Sequence, residues 1–129
     1  MRRKQSVAEA PLISIVDDDQ SVRDALGNLL RSVGFRVEVF ASAENLLDSD
    51  HLSDTDCLIL DARMRGMSGL ELQRQLAESR CRVPIIFITA YSDGDAQARA
   101  LGAGAMAFLH KPFAEGALLR AIDGALRRF

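Results

Sequence analysis

Three consecutive carboxylates, Asp17, Asp18 and Asp19, directly follow an apolar run. A single carboxylate, Asp61, then a hydroxyl, Thr89, and an ammonium, Lys111, close later runs of the same kind. Carboxylates gathered in one place repel and raise one another's pKa unless a cation intervenes. A hard divalent ion suits such a site, since Mg2+ typically takes one or two carboxylates together with phosphate oxygens and water. A lysine ammonium and a threonine hydroxyl add donors for phosphoryl oxygens. An aspartate can itself be the nucleophile, giving an acyl phosphate. Singly, each residue has a plainer explanation. Asp18 or Asp19 suits a helix cap, Asp61 a turn, Thr89 a strand interior and Lys111 a solvated surface. Their order along the chain is what chance explains poorly.

Short β-rich runs at Leu12–Val16, Arg36–Phe40, Cys57–Leu60, Pro84–Thr89 and Met106–His110 alternate with helical spacing. Several are nearly continuous in apolar residues, as in parallel strands covered on both faces. Val22, Leu26, Leu29, Leu30 and Val33 form one helical stripe that Gly34 ends. Ser42 can cap a short helix, and Ser68 with Glu71 has the form of a capping box opening a helix over Gly69 to Arg80. The stretch Asp93–Ala103 reads helical but its apolar residues are mostly alanine, so its grip on a sheet should be weak. Leu118, Leu119, Ile122, Leu126 and Phe129 form the closing stripe. This βαβαβαβαβα order implies an α/β domain with right-handed crossovers around a doubly wound parallel sheet. Sites in such folds lie at the carboxyl ends of the strands. The acidic cluster, Asp61, Thr89 and Lys111 all fall there.

With 129 residues, one domain is expected, large enough to fold without disulfides or a structural metal. Residues 1–11 read as a mobile tail and 12–129 as the domain. Sixteen basic against eighteen acidic residues argue against a dedicated nucleic-acid backbone binder. No apolar run is long enough to span a membrane. The first ten residues lack the apolar stretch of a secretory signal. Cys57 and Cys81 lack C-x-x-C spacing and suit a reducing cytoplasm.

From Leu12 to Phe129 the chain resembles the receiver domains of two-component response regulators. The likeness is carried by Ile15-Val16-Asp17-Asp18-Asp19 and by the run from Leu58 to Leu72 that holds Asp61, Arg63, Met64, Gly66 and Gly69. Ile86-Phe87-Ile88-Thr89-Ala90, Gly104-Ala105 and Phe108-Leu109-His110-Lys111-Pro112-Phe113 complete it. Phe108 with Arg63 is similar to receivers of transcriptional regulators that carry a C-terminal helix-turn-helix. The resemblance implies a flavodoxin-like (βα)5 fold with strand order 2-1-3-4-5. It implies that Asp61 accepts a phosphoryl group from a sensor histidine kinase. Asp18 would hold Mg2+ directly, or Mn2+ in its place, and Asp17 directly or through water. Asp61 and the backbone carbonyl of Arg63 would complete the protein ligands. Lys111 and Thr89 would contact phosphoryl oxygens, Phe108 would be the aromatic switch, and the Lys111–Pro112 bond would be cis.

Two positions depart from the commonest family pattern. Arg65 stands where proline is frequent, which should loosen the loop after the third strand. Ser68 stands where aspartate is frequent, yet still suits a cap. Arg63 and Tyr91 would flank the phosphoryl group and slow its hydrolysis by excluding water. On phosphorylation, Thr89 and Lys111 are drawn to the new dianion and Phe108 turns inward, repacking the surface of the fourth helix, fifth strand and fifth helix. Inverting populations from 1:99 to 99:1 takes about 5.5 kcal/mol. A few charge-assisted hydrogen bonds, at about 1.5–3 kcal/mol each, are adequate. The expected partners are the kinase and an effector domain or output protein, with phosphorylation-dependent homodimerisation through the same surface. Only one helix fits after Lys111, so this chain alone is not expected to bind DNA. Beyond its own phosphorylation and dephosphorylation it is not expected to be an enzyme.

Two rivals use the same residues. Asp17-Asp18-Asp19-Gln20-Ser21-Val22 also fits the opening of haloacid-dehalogenase-type phosphatases, with Asp17 as nucleophile. That reading leaves Asp61 without a task, and lacks a further acidic pair after Lys111. A flavin binder of the same topology would want a Ser/Thr/Gly-rich phosphate loop where three aspartates stand.

Overall fold

The computed structural model describes residues 9–127. Five strands, β1 (Leu12–Val16), β2 (Arg36–Phe40), β3 (Cys57–Asp61), β4 (Ile85–Thr89) and β5 (Ala107–His110), form one sheet in the order β2-β1-β3-β4-β5. All pairings are parallel. The helices are α1 (Gln20–Ser32), α2 (Ala43–Asp48), α3 (Gly69–Glu78), α4 (Gly94–Gly102) and α5 (Glu115–Leu126). This is the flavodoxin-like arrangement.

The central strands are buried throughout because helices cover both faces, which explains their unbroken apolar character. Alternate side chains feed two cores. Ile13, Ile15, Ile59, Ile86 and Ile88 meet α1 and α5 through Leu26, Leu30, Leu118 and Ile122. Val16, Leu58, Leu60, Phe87 and Phe108 meet α2, α3 and α4 through Leu46, Leu72, Leu76 and Ala100. β2 lies at the sheet edge and is only partly buried.

Helix starts follow their caps. Asp19 accepts the Ser21 amide, Ser42 the Asn45 amide and Asp93 the Ala96 amide. Ser68 and Glu71 make the reciprocal capping box at α3. α3 stops at Glu78 rather than reaching Arg80, whose φ of +62° is left-handed and incompatible with a continued helix. A short 3-10 turn at Leu52–Asp54, with no hydrophobic period to announce it, precedes β3. Within the segment read as a tail, Ala10 and Pro11 accept hydrogen bonds from Arg36. Residues 1–8 and the Phe129 end of the closing stripe lie outside the described residues. Among the described residues, no helix is long and apolar enough to cross a membrane.

Candidate functional site

Strand order puts the ends of β1 and β3 side by side at the middle of one sheet edge. There, oxygens of Asp17, Asp18 and Asp61 lie within 4.8 Å of one another. Asp17 is fully buried, Asp61 nearly so, and Asp18 exposed. Lys111 reaches in from beyond β5. Its Nζ donates to Asp17 Oδ2 at 2.9 Å and lies 3.6 Å from Asp61 Oδ2. The Lys111–Pro112 peptide preceding α5 is cis.

The backbone holds these carboxylates in place. Asp17 Oδ1 accepts the Asp19 amide at 2.9 Å, and Asp61 Oδ1 accepts the Arg63 amide at 3.0 Å. Asp19 itself faces away as the cap of α1, taking both the amide and the hydroxyl of Ser21. That engagement, with Asp17 already tied to Lys111, disfavours the phosphatase reading.

Electrostatics single out Asp61. Burial pushes its carboxyl up to about 6, and neighbouring Asp17 adds to the rise, against the Arg63 amide and Lys111. For Lys111, burial works against the ammonium, yet the Asp17 and Asp61 carboxylates outweigh it and raise its pKa. Elsewhere, burial also pushes the Cys57 thiol up to about 12, an inert core thiol.

Thr89 closes β4 one residue beyond Ile88, the register partner of Asp61. It is buried, and its Oγ1 accepts the Tyr91 amide at 3.1 Å. The Phe108 ring lies inside in this structure. It is 8% exposed and packs against Phe87 and His110 with centroids 5.8 and 5.5 Å away. A cleft of about 370 Å³ lies alongside, bounded by Thr89, Phe108, Met64, Tyr91 and Ala96.

Arg63 and Tyr91 do come together: the guanidinium lies 4.8 Å from the Tyr91 ring centroid. It also pairs with Asp93 at 3.3 Å, a contact between loops that no local spacing reveals. The loop carrying Arg65 is hydrogen-bonded to side chains at two points. Glu44 accepts the Met67 amide at 3.1 Å, and Asp18 accepts the Arg65 amide at 3.3 Å. Gly69 opens α3, and a Cβ there would collide with the Asp61 carbonyl oxygen. No side chain larger than hydrogen fits without moving the end of β3.

The donor set consists of oxygens with one resident ammonium, the chemistry a hard divalent cation requires. Comparison with known proteins points the same way. Residues 13–123 match the model of the response regulator receiver domain. The chain is 48% identical over 118 residues to the response regulator protein TodT of Pseudomonas putida, covering 92% of this chain and 52% of TodT. It is 35% identical over 116 residues to the transcriptional regulatory protein FixJ of Bradyrhizobium diazoefficiens, covering 90% of this chain and 57% of FixJ. The chain thus spans about half the length of these curated relatives. Among solved structures, the response regulator StyR superposes with a TM-score of 0.85 at 51% identity, covering 92% of this chain and 60% of StyR. FixJ-N superposes with a TM-score of 0.84 at 35% identity, covering 94% of this chain and 97% of FixJ-N. The receiver-domain match spans most of the chain, whose central strand ends gather three carboxylates under one lysine, and the chain belongs to the family of response regulator receiver domains.

Proposed function

We propose that Asp61 is the phosphoacceptor of this two-component receiver and that a histidine kinase is the donor. The observation that carries this reading is Lys111 Nζ standing 3.6 Å from Asp61 Oδ2 while it is anchored on Asp17 at 2.9 Å. An Asp61 oxygen bonds to phosphorus as the P–N bond to the donor imidazole breaks, and the departing imidazole keeps the electron pair. Lys111 meets the developing charge on the phosphoryl oxygens, and the Thr89 hydroxyl supplies a further donor. Asp17, Asp18, Asp61 and the Arg63 carbonyl are the ligands for Mg2+, or Mn2+ in its place. When bound, the ion neutralises negative charge among the carboxylates and the incoming group. Arg63 and Tyr91, whose side chains meet at 4.8 Å, slow hydrolysis by restricting water when Arg63 turns to the phosphoryl group.

Release of Thr89 towards the phosphoryl group repacks the cleft beside Phe108 and alters the α4–β5–α5 surface. We assign to that surface the control of an output domain or partner, including phosphorylation-dependent pairing of two copies. An output in transcription is supported by two relatives named transcriptional regulatory proteins, and a cytoplasmic setting by the family's usual one. The domain signals rather than turns over an external substrate.

Incubation with acetyl phosphate tests this reading by intact mass. One phosphoryl group should be gained only with Mg2+, lost in Asp61→Ala and kept in Asp19→Ala. Labelling that survives Asp61→Ala but not Asp17→Ala would return the phosphatase reading.

A further inference from the structure

One residue touches both the acceptor and the first turn of α4. The Arg63 amide donates to Asp61 Oδ1 at 3.0 Å, while its Nη2 donates to Asp93 Oδ2 at 3.3 Å. The other Asp93 oxygen accepts the Ala96 amide at 3.1 Å, capping the helix. The ion pair is a single contact between side chains 56% and 35% exposed, the kind of pairing that restrains weakly. A phosphoryl group on Asp61 would carry nearly two negative charges against one on Asp93. It would also offer several oxygens to the guanidinium fork. The far end of α4 is held differently: Gln73 Nε2, buried, donates to the Ala100 carbonyl at 3.0 Å, a contact between uncharged groups.

We propose that Asp93 is the positioning residue for the Arg63 guanidinium. The carboxylate at the head of α4 and the phosphoryl group on Asp61 compete for one cation. Phosphorylation therefore unlatches α4 at its N-terminus while Gln73 retains its other end. Arg63 drawn onto the phosphoryl group is also the form that screens it from water. Asp93 consequently shortens the phosphoryl lifetime by pulling Arg63 away. This inference rests on Asp61 being the acceptor.

The test follows the phosphoryl group by intact mass after acetyl phosphate is removed in Mg2+. Asp93→Asn keeps the capping oxygen but drops the charge, and Arg63→Gln keeps the main-chain carbonyl. Asp93→Asn should lengthen the lifetime by about two- to fivefold, the factor an exposed ion pair is worth. Arg63→Gln should shorten it by a similar factor. The double variant should match Arg63→Gln, because Asp93 acts only through Arg63. A capping role alone would not produce opposite signs with that dependence. In parallel, amide exchange in the first turn of α4 should rise on phosphorylation of the wild type and be already raised in unphosphorylated Asp93→Asn. Equal lifetimes for wild type and Asp93→Asn, or an additive double variant, overturn the inference while Asp61 stands as acceptor. A wild type that gains no phosphoryl group overturns instead the functional reading beneath it.

Discussion

The two faces of the sheet are built for different tasks. On one, α1 and α5 bury Leu26, Leu30, Leu118 and Ile122 against an aliphatic strand surface. On the other, α4 buries only Ala96 and Ala100 and leaves Leu101 42% exposed. Methyl groups bury far less apolar area than leucines, so α4 is anchored by far less hydrophobic free energy. Yet α4 sits beside the cleft formed by Thr89 and Phe108, with its N-cap tied to Arg63. The rigid face fixes where the carboxylates stand. On the other face α2 and α3 bury Leu46, Leu72 and Leu76, and only α4 is lightly held. Under the proposed function it stands where a charge added to Asp61 would be read as movement, as expected of elements drawn from the low-stability end of a fold.

The largest contrast should come from truncation on the rigid face. Leu30→Ala removes a fully buried side chain and should cost about 2–5 kcal/mol in denaturant unfolding. A cost below that of a surface change would erase the distinction between the faces. At the site itself the sign reverses. The Asp61 carboxyl stands near 6 in the fold against an ordinary 3.8, so the native chain holds its proton to higher pH than the unfolded chain. That contribution to stability is intact below pH about 4 and lost as pH rises through about 6. Asp61→Asn should therefore stabilise the metal-free protein at pH 7.5, by at most about 3 kcal/mol, and be neutral near pH 3.5. Urea unfolding at both pH values checks this, and stabilisation that persists at low pH would assign the effect to packing instead.

Gly69→Ala should cost about 1–3 kcal/mol by overpacking, and should impair acetyl phosphate labelling because the added methyl presses on the Asp61 carbonyl. The smallest effect belongs to α4. Leu101→Ser should shift stability by no more than about 0.5 kcal/mol, as for an exposed position. A cost comparable to Leu30→Ala would mean that α4 is held as firmly as α1.

Most of the frame was legible because it depends on local patterns. Strand runs and capping residues announce themselves within a few positions, and the spacing of Leu26 and Leu30 is visible without a fold. The site was legible for a related reason: strand order alone carries Asp17, Asp61 and Lys111 to one edge. What escaped depends on distances across loops. Asp93 meets Arg63 only once β3 and β4 are adjacent, and Glu44 reaches the Met67 amide only once α2 lies over the loop after β3. Arg65 suggested a slack loop because proline's ring was the only local restraint in view. The apolar character of Phe108 does not say whether its ring lies inward before or after phosphorylation.

Reductive trapping of the acyl phosphate tests the central claim most directly. Borohydride converts a phosphorylated aspartate to homoserine, and trypsin separates residues 5–23, which hold Asp17, from residues 37–63, which hold Asp61. Homoserine at position 61, dependent on Mg2+, is the predicted result. Homoserine at position 17, or none in either peptide of a protein shown to have gained a phosphoryl group, would contradict it.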